Sequence, residues 1–281
     1  MTFLETLGVE APIVQAGLGG GLSRHELAAA VSEAGGLGTI AVIGAKAIEQ
    51  ELTSARAVTD RPVAVNLLLP FAEGEWFEAA AEADVVVTFW GEPERRTPGT
   101  WIHQCGSVEE AQAARSAGAD AVIVQGLEAG GHVRGTTPAT ELLAQAKAAL
   151  PSGYPLLLAG GIAERADVER ALESGATAAV AGTRFLLSEE SRAHPEYKRR
   201  LLGAEDTLLT ELFGAGWPAP HRVVPNAATE RGEDQEPLPP LAPLDDAPVS
   251  MIDTAPLYAG ETVARIRELR PAAEIVATLT P

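Results

Sequence analysis

The chain has 281 residues and a formal net charge of −18, with 21 lysines and arginines against 39 aspartates and glutamates. Nucleic-acid phosphates and anionic membrane surfaces attract clustered basic side chains, so this charge argues against both partners. Apolar residues make up 46% of the chain, as is usual for a globular protein with a sizeable core.

The first residues, MTFLETLGVEAP, lack the basic and apolar regions of a signal peptide. No apolar run reaches the roughly 20 residues that a membrane helix needs. The single cysteine, Cys105, cannot form an internal disulfide, which fits a reducing compartment. We therefore expect a cytoplasmic protein.

Eight short apolar segments predict β-strands over the first two thirds of the chain. They cover residues 12–17, 37–43, 62–69, 84–90, 100–105, 120–126, 154–161 and 178–186. Most are continuously apolar, which is typical of parallel strands that are buried on both faces.

Segments with helical spacing alternate with these strands, for example at 24–35, 107–118 and 164–175. Ser107 and Glu110 have the spacing of a capping box at a helix start. Three similar stretches, SEAGGLGTI, RSAGADAVI and LESGATAAV, each end a helix on glycine before a strand begins. Eight such units favour a closed TIM (β/α)8 barrel over a doubly wound sheet.

The alternation stops after about residue 187. SEESRAHPEYKRRLLGA predicts an extra helix, and the acidic, proline-rich stretch 226–254 predicts a long loop or lid of unassigned role. Residues 262–279 predict a final amphipathic helix that closes the barrel. Because 188–261 has too few apolar residues for a core of its own, we expect one domain over 1–281, with 188–261 as a lid-like insertion.

Function in a parallel barrel lies at the carboxyl ends of the strands. Gln15, Ala16 and Gly17 end the first predicted strand, Asn66 lies in the third, and Gln125 ends the sixth. Since a buried amide needs hydrogen-bond partners, Asn66 is either bonded within the core or in contact with a ligand. Amides at one mouth suit a flat heterocycle such as a flavin.

Glycines follow the last three predicted strands. In QGLEAGGHVRG (125–135), Gly126, Gly130 and Gly131 would let the backbone approach a ligand, and they place His132 beside it. Gly160 and Gly161 follow the seventh strand, and Gly182 and Thr183 follow the eighth. Glycines at these two turns are typical of the phosphate site of a barrel. The residues alone do not distinguish a flavin from a sugar phosphate.

The remaining candidates are weaker. His25 is expected in a first helical turn, His103 in the core or behind the site, and His221 in a lid. Cys105 is expected to pack rather than react, because no activating base lies near it in sequence. No spacing of histidines, cysteines or carboxylates indicates a metal site.

Several stretches resemble the nitronate monooxygenase (2-nitropropane dioxygenase) family of FMN-dependent (β/α)8 barrels. They are APIVQAGLGG, AGGLGTIA, VNLLLP, QCGSVEEAQAARSAGADAVIVQGLEAGGHVRG, LLLAGGI and AVAGTRFLLSEES, with weaker similarity in APHRVVPN and YAGETVARIRELRPAAEIV. The resemblance covers nearly the whole chain, and GADAVIVQGLEAGGH is its most specific part.

The resemblance implies an FMN-dependent oxidation of alkyl nitronates or nitroalkanes by O2, which yields a carbonyl compound and nitrite. His132 would face the substrate, either as a general base or as a group that orients the anion. The implied flavin contacts are Gln15, Ala16, Gly17, Asn66, Gln125, Gly130 and Gly131. The implied phosphate contacts are Gly160, Gly161, Gly182 and Thr183.

Other functions stay open. The same GGH loop occurs in FMN-dependent enoyl-acyl-carrier-protein reductases that use NAD(P)H, and some relatives reduce quinones. The acidic chain disfavours docking of an acidic carrier protein. A sugar-phosphate barrel would usually place lysine at its strand ends, where this chain has amides and glycines. A non-catalytic flavin-binding barrel is a third alternative. The sequence leaves monomer and homodimer open.

Overall fold

The structure is a computed structural model that describes residues 2–232 and 236–281. Its strands are β1 (Ile13–Gln15), β2 (Gly38–Ile40), β3 (Val63–Leu68), β4 (Val85–Phe89), β5 (Thr100–Cys105), β6 (Ala121–Gln125), β7 (Gly131–His132), β8 (Leu156–Ala159), β9 (Ala178–Ala181), β10 (Leu208–Thr210) and β11 (His221–Val223).

Eight of these strands form one parallel sheet in the order β1-β9-β8-β6-β5-β4-β3-β2. The two outermost strands, β1 and β2, also pair with each other, through a parallel bridge between Val14 and Leu37. The Leu37 N–H donates to the Ile13 carbonyl, and the Gln15 N–H donates to the Leu37 carbonyl, both at 2.9 Å. The sheet thus closes on itself, and the predicted (β/α)8 barrel is confirmed.

The α-helices are α1 (Phe3–Thr6), α2 (His25–Glu33), α3 (Ala45–Arg56), α4 (Gly74–Ala80), α5 (Val108–Ser116), α6 (Ala139–Ala149), α7 (Arg165–Glu173), α8 (Thr183–Leu186), α9 (Pro195–Leu202), α10 (Ala227–Glu230) and α11 (Ala272–Leu279). The predicted helices at 24–35, 107–118 and 164–175 correspond to α2, α5 and α7. Turns and irregular backbone over 90–99 join β4 to β5, and Arg95 lies over the Trp101 ring there.

Alternate residues of each strand face opposite sides of the barrel wall. Val14, Leu37, Val87, Ile123 and Leu157 belong to a cluster that fills the barrel interior. A larger cluster packs the outer face of the sheet against the surrounding helices and includes α11. Burial on both faces is the physical reason that the strand sequences are continuously apolar.

The eighth βα unit contains a long insertion between β9 and α11. Its strands β10 and β11 form a three-stranded antiparallel sheet with β7, which comes from the loop after β6. The predicted extra helix is α9, and the stretch 226–254 holds α10 and a 3-10 turn at Val249–Met251. Part of that predicted loop, residues 233–235, lies outside the described residues.

Two predicted boundaries are wrong. The segment 178–186 is strand only to Ala181, and α8 follows it. The predicted helix over 262–279 is two elements, a 3-10 helix at Glu261–Arg265 and α11, which begins directly after Pro271. Proline lacks an N–H and its ring clashes with the preceding turn, so the helix cannot run through that position.

In residues 2–232 and 236–281, every helix is too short or too polar to span a bilayer.

Gly38 lies where β2 meets α2, and a Cβ there would sit 1.9 Å from the Ala28 carbonyl oxygen. Because the obstacle is helix backbone, Gly38→Ala should lower the free energy of unfolding by about 3 kcal/mol. Gly74→Ala is the control, since a Cβ there meets nothing within 4 Å. Urea unfolding of both variants measures the difference, and equal stabilities would contradict this packing.

Candidate functional site

The carboxyl ends of the barrel strands open into a cavity of about 830 Å³. This volume lies within the range of small-molecule and cofactor sites. All predicted site residues except Gln15 line the cavity, namely Ala16, Gly17, Asn66, Gln125, Gly130, Gly131, His132, Gly160, Gly161, Gly182 and Thr183. The barrel topology therefore brings together residues that are far apart in sequence.

Gln15 is fully buried and lies outside the cavity lining. Its Oε1 accepts the Thr39 N–H at 2.8 Å, and its Nε2 donates to the Ala16 carbonyl. The side chain thus links β1 to β2. The prediction that Gln15 lines the ligand is not matched by this geometry, because both polar atoms are used inside the barrel wall.

Two other amides face the cavity. Asn66 packs against Gly17, where a Cβ would lie 2.5 Å from the Asn66 Cβ. Gln104, near the end of β5, also lines the cavity and was not predicted. The alternation of β5 could have indicated it, because Ile102, two residues earlier, faces the barrel interior. Neither side chain has a hydrogen-bond partner within the described chain, so both amides are available to a ligand.

The loop that carries His132 is held at its backbone. The Gln125 Nε2 donates to the His132 carbonyl at 3.0 Å, and the Gln125 Oε1 accepts the Arg134 N–H at 3.1 Å. On the other side, His132 of β7 pairs with His221 of β11. The Gln125 amide, predicted as a ligand contact, lines the cavity but bonds to this loop.

Arg134 extends the anchoring of the loop to α5. Its guanidinium pairs with Glu110, whose carboxylate also accepts the Gly106 N–H at 2.7 Å. The Ser107 hydroxyl accepts the Glu110 N–H as predicted, but the Glu110 side chain turns to Gly106 and Arg134 instead of completing the capping box. The loop after β6 is therefore fastened to α5 as well as to β11.

The three glycines of this loop, predicted to let the backbone approach a ligand, differ in their surroundings. A Cβ on Gly126 would lie 2.3 Å from the Ala139 backbone, and one on Gly130 would lie 2.4 Å from Ala259. These two glycines permit close packing within the protein. Gly131, with φ +71°, has open space where a side chain would be, so it is the glycine of this loop that leaves room in the cavity.

Aromatic side chains surround the imidazole of His132. The Trp217 ring stacks on it with centroids 3.8 Å apart and an interplanar angle of 21°. Tyr258 and Trp90 lie at 5.6 and 6.2 Å. Among the described residues, Trp90 is the only non-glycine with positive φ, at 64°. No local sequence pattern indicates Trp217 or Tyr258 as a neighbour of His132, because both come from the region after β9.

Burial among these side chains keeps the imidazole of His132 neutral. Its Nε2 is buried without a partner, and burial, followed by the nearby His221, lowers the pKa of His132 to about 3. His221 accepts the Phe213 N–H at Nε2 (3.2 Å) and lies 2.9 Å from the Ala219 carbonyl at Nδ1. Nδ1 of His221 therefore carries its hydrogen. The predicted lid residue is buried behind His132 instead.

The turns after β8 and β9 leave backbone donors free. Gly160 and Gly161 have φ of +109° and +77°. Within the described chain, the N–H groups of Gly160, Gly161 and Thr183 donate to no other protein group. The Thr183 hydroxyl accepts the Gly260 N–H at 2.9 Å, which ties this turn to the inserted region. These free donors can hold an anion such as a phosphate.

The described lining contains no lysine or arginine, and its charged residues are Glu73 and Glu128. The Glu128 carboxylate accepts the Ala139 N–H at the start of α6. An anion in this cavity would therefore be bound by N–H groups and side-chain amides, without a cationic side chain.

The remaining candidates lie behind the site or away from it. His103 is buried, and its Nδ1 lies 2.7 Å from the Thr88 hydroxyl, which accepts the Trp101 Nε1–H. Burial, followed by Arg134, lowers the pKa of His103 to about 4. Burial raises the pKa of the Cys105 thiol, which makes this thiol unreactive, as expected.

His25 begins α2, as predicted, and meets two acidic side chains. Possible ligand atoms of His25, Glu26 and Glu51 lie within 4.8 Å of one another, a grouping that the sequence spacing did not reveal. The Glu51 carboxylate accepts the His25 backbone N–H at 2.9 Å and contacts its imidazole at 2.7 Å. These contacts cap the start of α2.

Known proteins are similar to this chain in sequence and in fold. The model of the nitronate monooxygenase family matches residues 2–91 and 93–281. The nitronate monooxygenase of Pseudomonas aeruginosa is 32% identical, over 99% of this chain and 97% of the relative. FabK from Thermotoga maritima superposes with a TM-score of 0.85 at 28% identity, over 98% and 93% of the two chains. A nitroalkane oxidase from Streptomyces ansochromogenes gives 0.82 at 31% identity, over 98% and 96%.

The fold, the cavity and these similarities place the chain among the oxidoreductases built on a (β/α)8 barrel. More specifically, the chain belongs to the nitronate monooxygenase family, whose members oxidise nitronates and depend on a flavin.

The lowered pKa of His103 predicts acid lability. The folded protein keeps this imidazole neutral, whereas the unfolded chain protonates it below about pH 6.5. Its contribution to stability is therefore present above that pH and is lost as the pH falls towards 4, by about 2 kcal/mol between pH 6.5 and 5. Urea unfolding of wild type and His103→Gln over pH 5–7.5 measures this difference. If the free energy of unfolding changed equally with pH in the two proteins, the pKa of His103 would be the same in the folded and unfolded states.

Proposed function

We propose that this chain oxidises alkyl nitronates with O2, with FMN bound in the barrel cavity, and releases a carbonyl compound and nitrite. The observation that carries the proposal is His132, which lines a cavity with free backbone donors and whose buried Nε2 has no partner in the described protein. We also propose that the chain acts as one domain, because α11 packs against the barrel helices α2 and α7 although it follows the insertion.

The residues present fit FMN. The free N–H groups of Gly160, Gly161 and Thr183 would hold the phosphate, and Asn66 and Gln104 offer amides to the polar edge of the ring or to the ribityl chain. Gly131 leaves room for a flat group beside His132. When bound, FMN supplies the oxidation chemistry of the reaction, and the protein orients the substrate and limits its contact with water.

His132 would act as a hydrogen-bonding group towards the substrate. A neutral imidazole can donate from Nε2 to an anionic nitro oxygen, and a bond to a charged acceptor is stronger than one to a neutral acceptor. Trp217 and the backbone contacts of the loop fix the direction of this bond. Its low pKa makes the same imidazole a weak base, which favours a preformed nitronate over a neutral nitroalkane that must first lose a proton.

A reductase that takes hydride from NAD(P)H is the alternative oxidoreductase function. Such a donor carries several phosphates, and the cavity lining offers no lysine or arginine for them. This electrostatic mismatch disfavours the reductase. The same lack of a lysine in the described lining disfavours the sugar-phosphate barrel, which usually has a lysine base at a strand end.

Anaerobic mixing of the FMN-loaded protein with ethyl nitronate, NADH or NADPH tests the proposal. We expect ethyl nitronate to bleach the flavin absorbance within one turnover and the two nicotinamides to leave it unchanged. His132→Asn should keep its flavin, yet its kcat/KM for ethyl nitronate should fall about tenfold, because the variant loses one hydrogen bond to an anion. Faster bleaching by NADH or NADPH than by the nitronate would make the chain a reductase.

Gly182→Val tests whether the turn after β9 holds the FMN phosphate. Gly182 has φ −101°, so valine adds no left-handed strain, and a Cβ there is 3.7 Å from its nearest neighbour. The larger side chain would crowd the turn and should lower FMN occupancy after purification to about a tenth of wild type. Gly203→Val is the matched control, with φ −95° and a nearest neighbour at 3.8 Å outside the cavity. Equal occupancy in both variants would place the phosphate elsewhere.

A further inference from the structure

The cavity opens to solvent through a rim of apolar side chains. Ile43, Phe71 and Leu241 line the cavity and are nevertheless 60%, 43% and 53% exposed. Side chains that are both cavity-lining and exposed must stand at its entrance. The cavity lining near these side chains also includes Val42, Trp76, Pro239 and Pro240. Exposed apolar side chains that cluster at a cavity mark a binding surface.

Three separate segments build this rim. Residues 42–43 follow β2, residues 70–76 follow β3, and residues 239–242 belong to the insertion. The Tyr258 hydroxyl donates to the Pro240 carbonyl at 2.9 Å, and Phe71 packs edge-on against Trp217 with centroids 5.3 Å apart. The rim is thus fastened to the same residues that surround His132, and it continues the His132 pocket outward.

The charge of the entrance is negative. Glu73 is exposed on the rim between Phe71 and Trp76, and the described lining offers no lysine or arginine to offset it. The chain as a whole carries a net charge of −18. A second anionic group on a substrate would therefore meet an apolar surface and a like charge, both of which are unfavourable.

We propose that the rim is a subsite for an uncharged alkyl chain, so that the preferred substrates are nitronates with an unbranched apolar tail and no carboxylate. This inference rests on the proposed function. The nitro end would lie at His132, and the tail would leave along Phe71 and Leu241. A tail of four to six carbons gains buried apolar contact on the rim, which the tail of ethyl nitronate is too short to reach.

The first test compares preformed nitronates of nitroethane, 1-nitrobutane and 1-nitrohexane with propionate 3-nitronate. We expect kcat/KM to rise about threefold per methylene along the alkyl series. For propionate 3-nitronate it should be less than about a tenth of the butyl value. A flat series, or a carboxylate substrate that matches the butyl one, would overturn the subsite. No turnover of any nitronate by the FMN-loaded protein would instead overturn the proposed function.

Variants separate the rim from the reacting end. Leu241→Ser should flatten the chain-length dependence and leave ethyl nitronate unchanged. Leu269→Ser, on a leucine that is 41% exposed outside the cavity, should behave as wild type. Glu73→Gln should raise kcat/KM for propionate 3-nitronate about threefold without changing hexyl nitronate. Equal effects of the two leucine variants would contradict the assignment of Leu241.

An equilibrium measurement tests the subsite without turnover. Trp76 and Trp217 line the cavity, so tryptophan fluorescence reports on its contents. We expect 1-octanol to bind with a Kd at least tenfold lower than that of octanoate, and Leu241→Ser to weaken 1-octanol about threefold. Tighter binding of octanoate, or no saturable signal with 1-octanol, would refute the apolar subsite.

Discussion

The candidate site depends on how the backbone of His132 is fixed. The Gln125 amide spans the loop between the His132 carbonyl and the Arg134 N–H, and β11 pairs with the other side of His132. Hydrogen bonds of a buried side-chain amide are strong because little water competes for them. With its backbone fixed and Trp217 stacked on its ring, the imidazole has little freedom to turn, and its buried, unpartnered Nε2 keeps one position.

The barrel supplies the other half of the site. Parallel strands end at one edge, so a few glycine turns there can direct several backbone N–H groups at a common point. This chain offers such donors, and the described lining adds no cationic side chain to them. A phosphate can still be held at a turn, but the cavity as a whole stays apolar and weakly repels further negative charge. Backbone donors suited to an anion and a mostly apolar lining thus coexist in one cavity.

Much of this could be predicted from sequence. Continuous apolar runs and glycine-ended helices repeat regularly, so the eight strands and the barrel followed from local patterns, and nearly all the glycines of the site followed from their places after strands. The missing parts depend on distant contacts. Trp217 and β11 lie some 90 residues beyond His132 in the chain, and no local pattern links them. Gln15 has the same polarity as Asn66, and only the closure between β1 and β2 shows that its amide is used inside the wall.

Glycine also illustrates the limit of a local pattern. Gly126, Gly130 and Gly131 occur within six residues and looked equivalent, yet two of them accommodate neighbouring backbone and one leaves cavity space. Pro271 is the reverse case, since its effect on the last helix is local and could have been foreseen.

The position of α11 has a consequence for biosynthesis. α11, which packs in one cluster with residues of β1 and β9, is translated after all eight barrel strands, and so is β11, the partner of β7. While the ribosome is still making residues 200–270, the nascent barrel has an uncovered flank, and β7 has an unpaired edge of the kind that chaperones shield. The part of the cavity wall that the insertion supplies is therefore completed only after all eight barrel strands have been made, and a chain that stops before α11 would keep an exposed apolar flank.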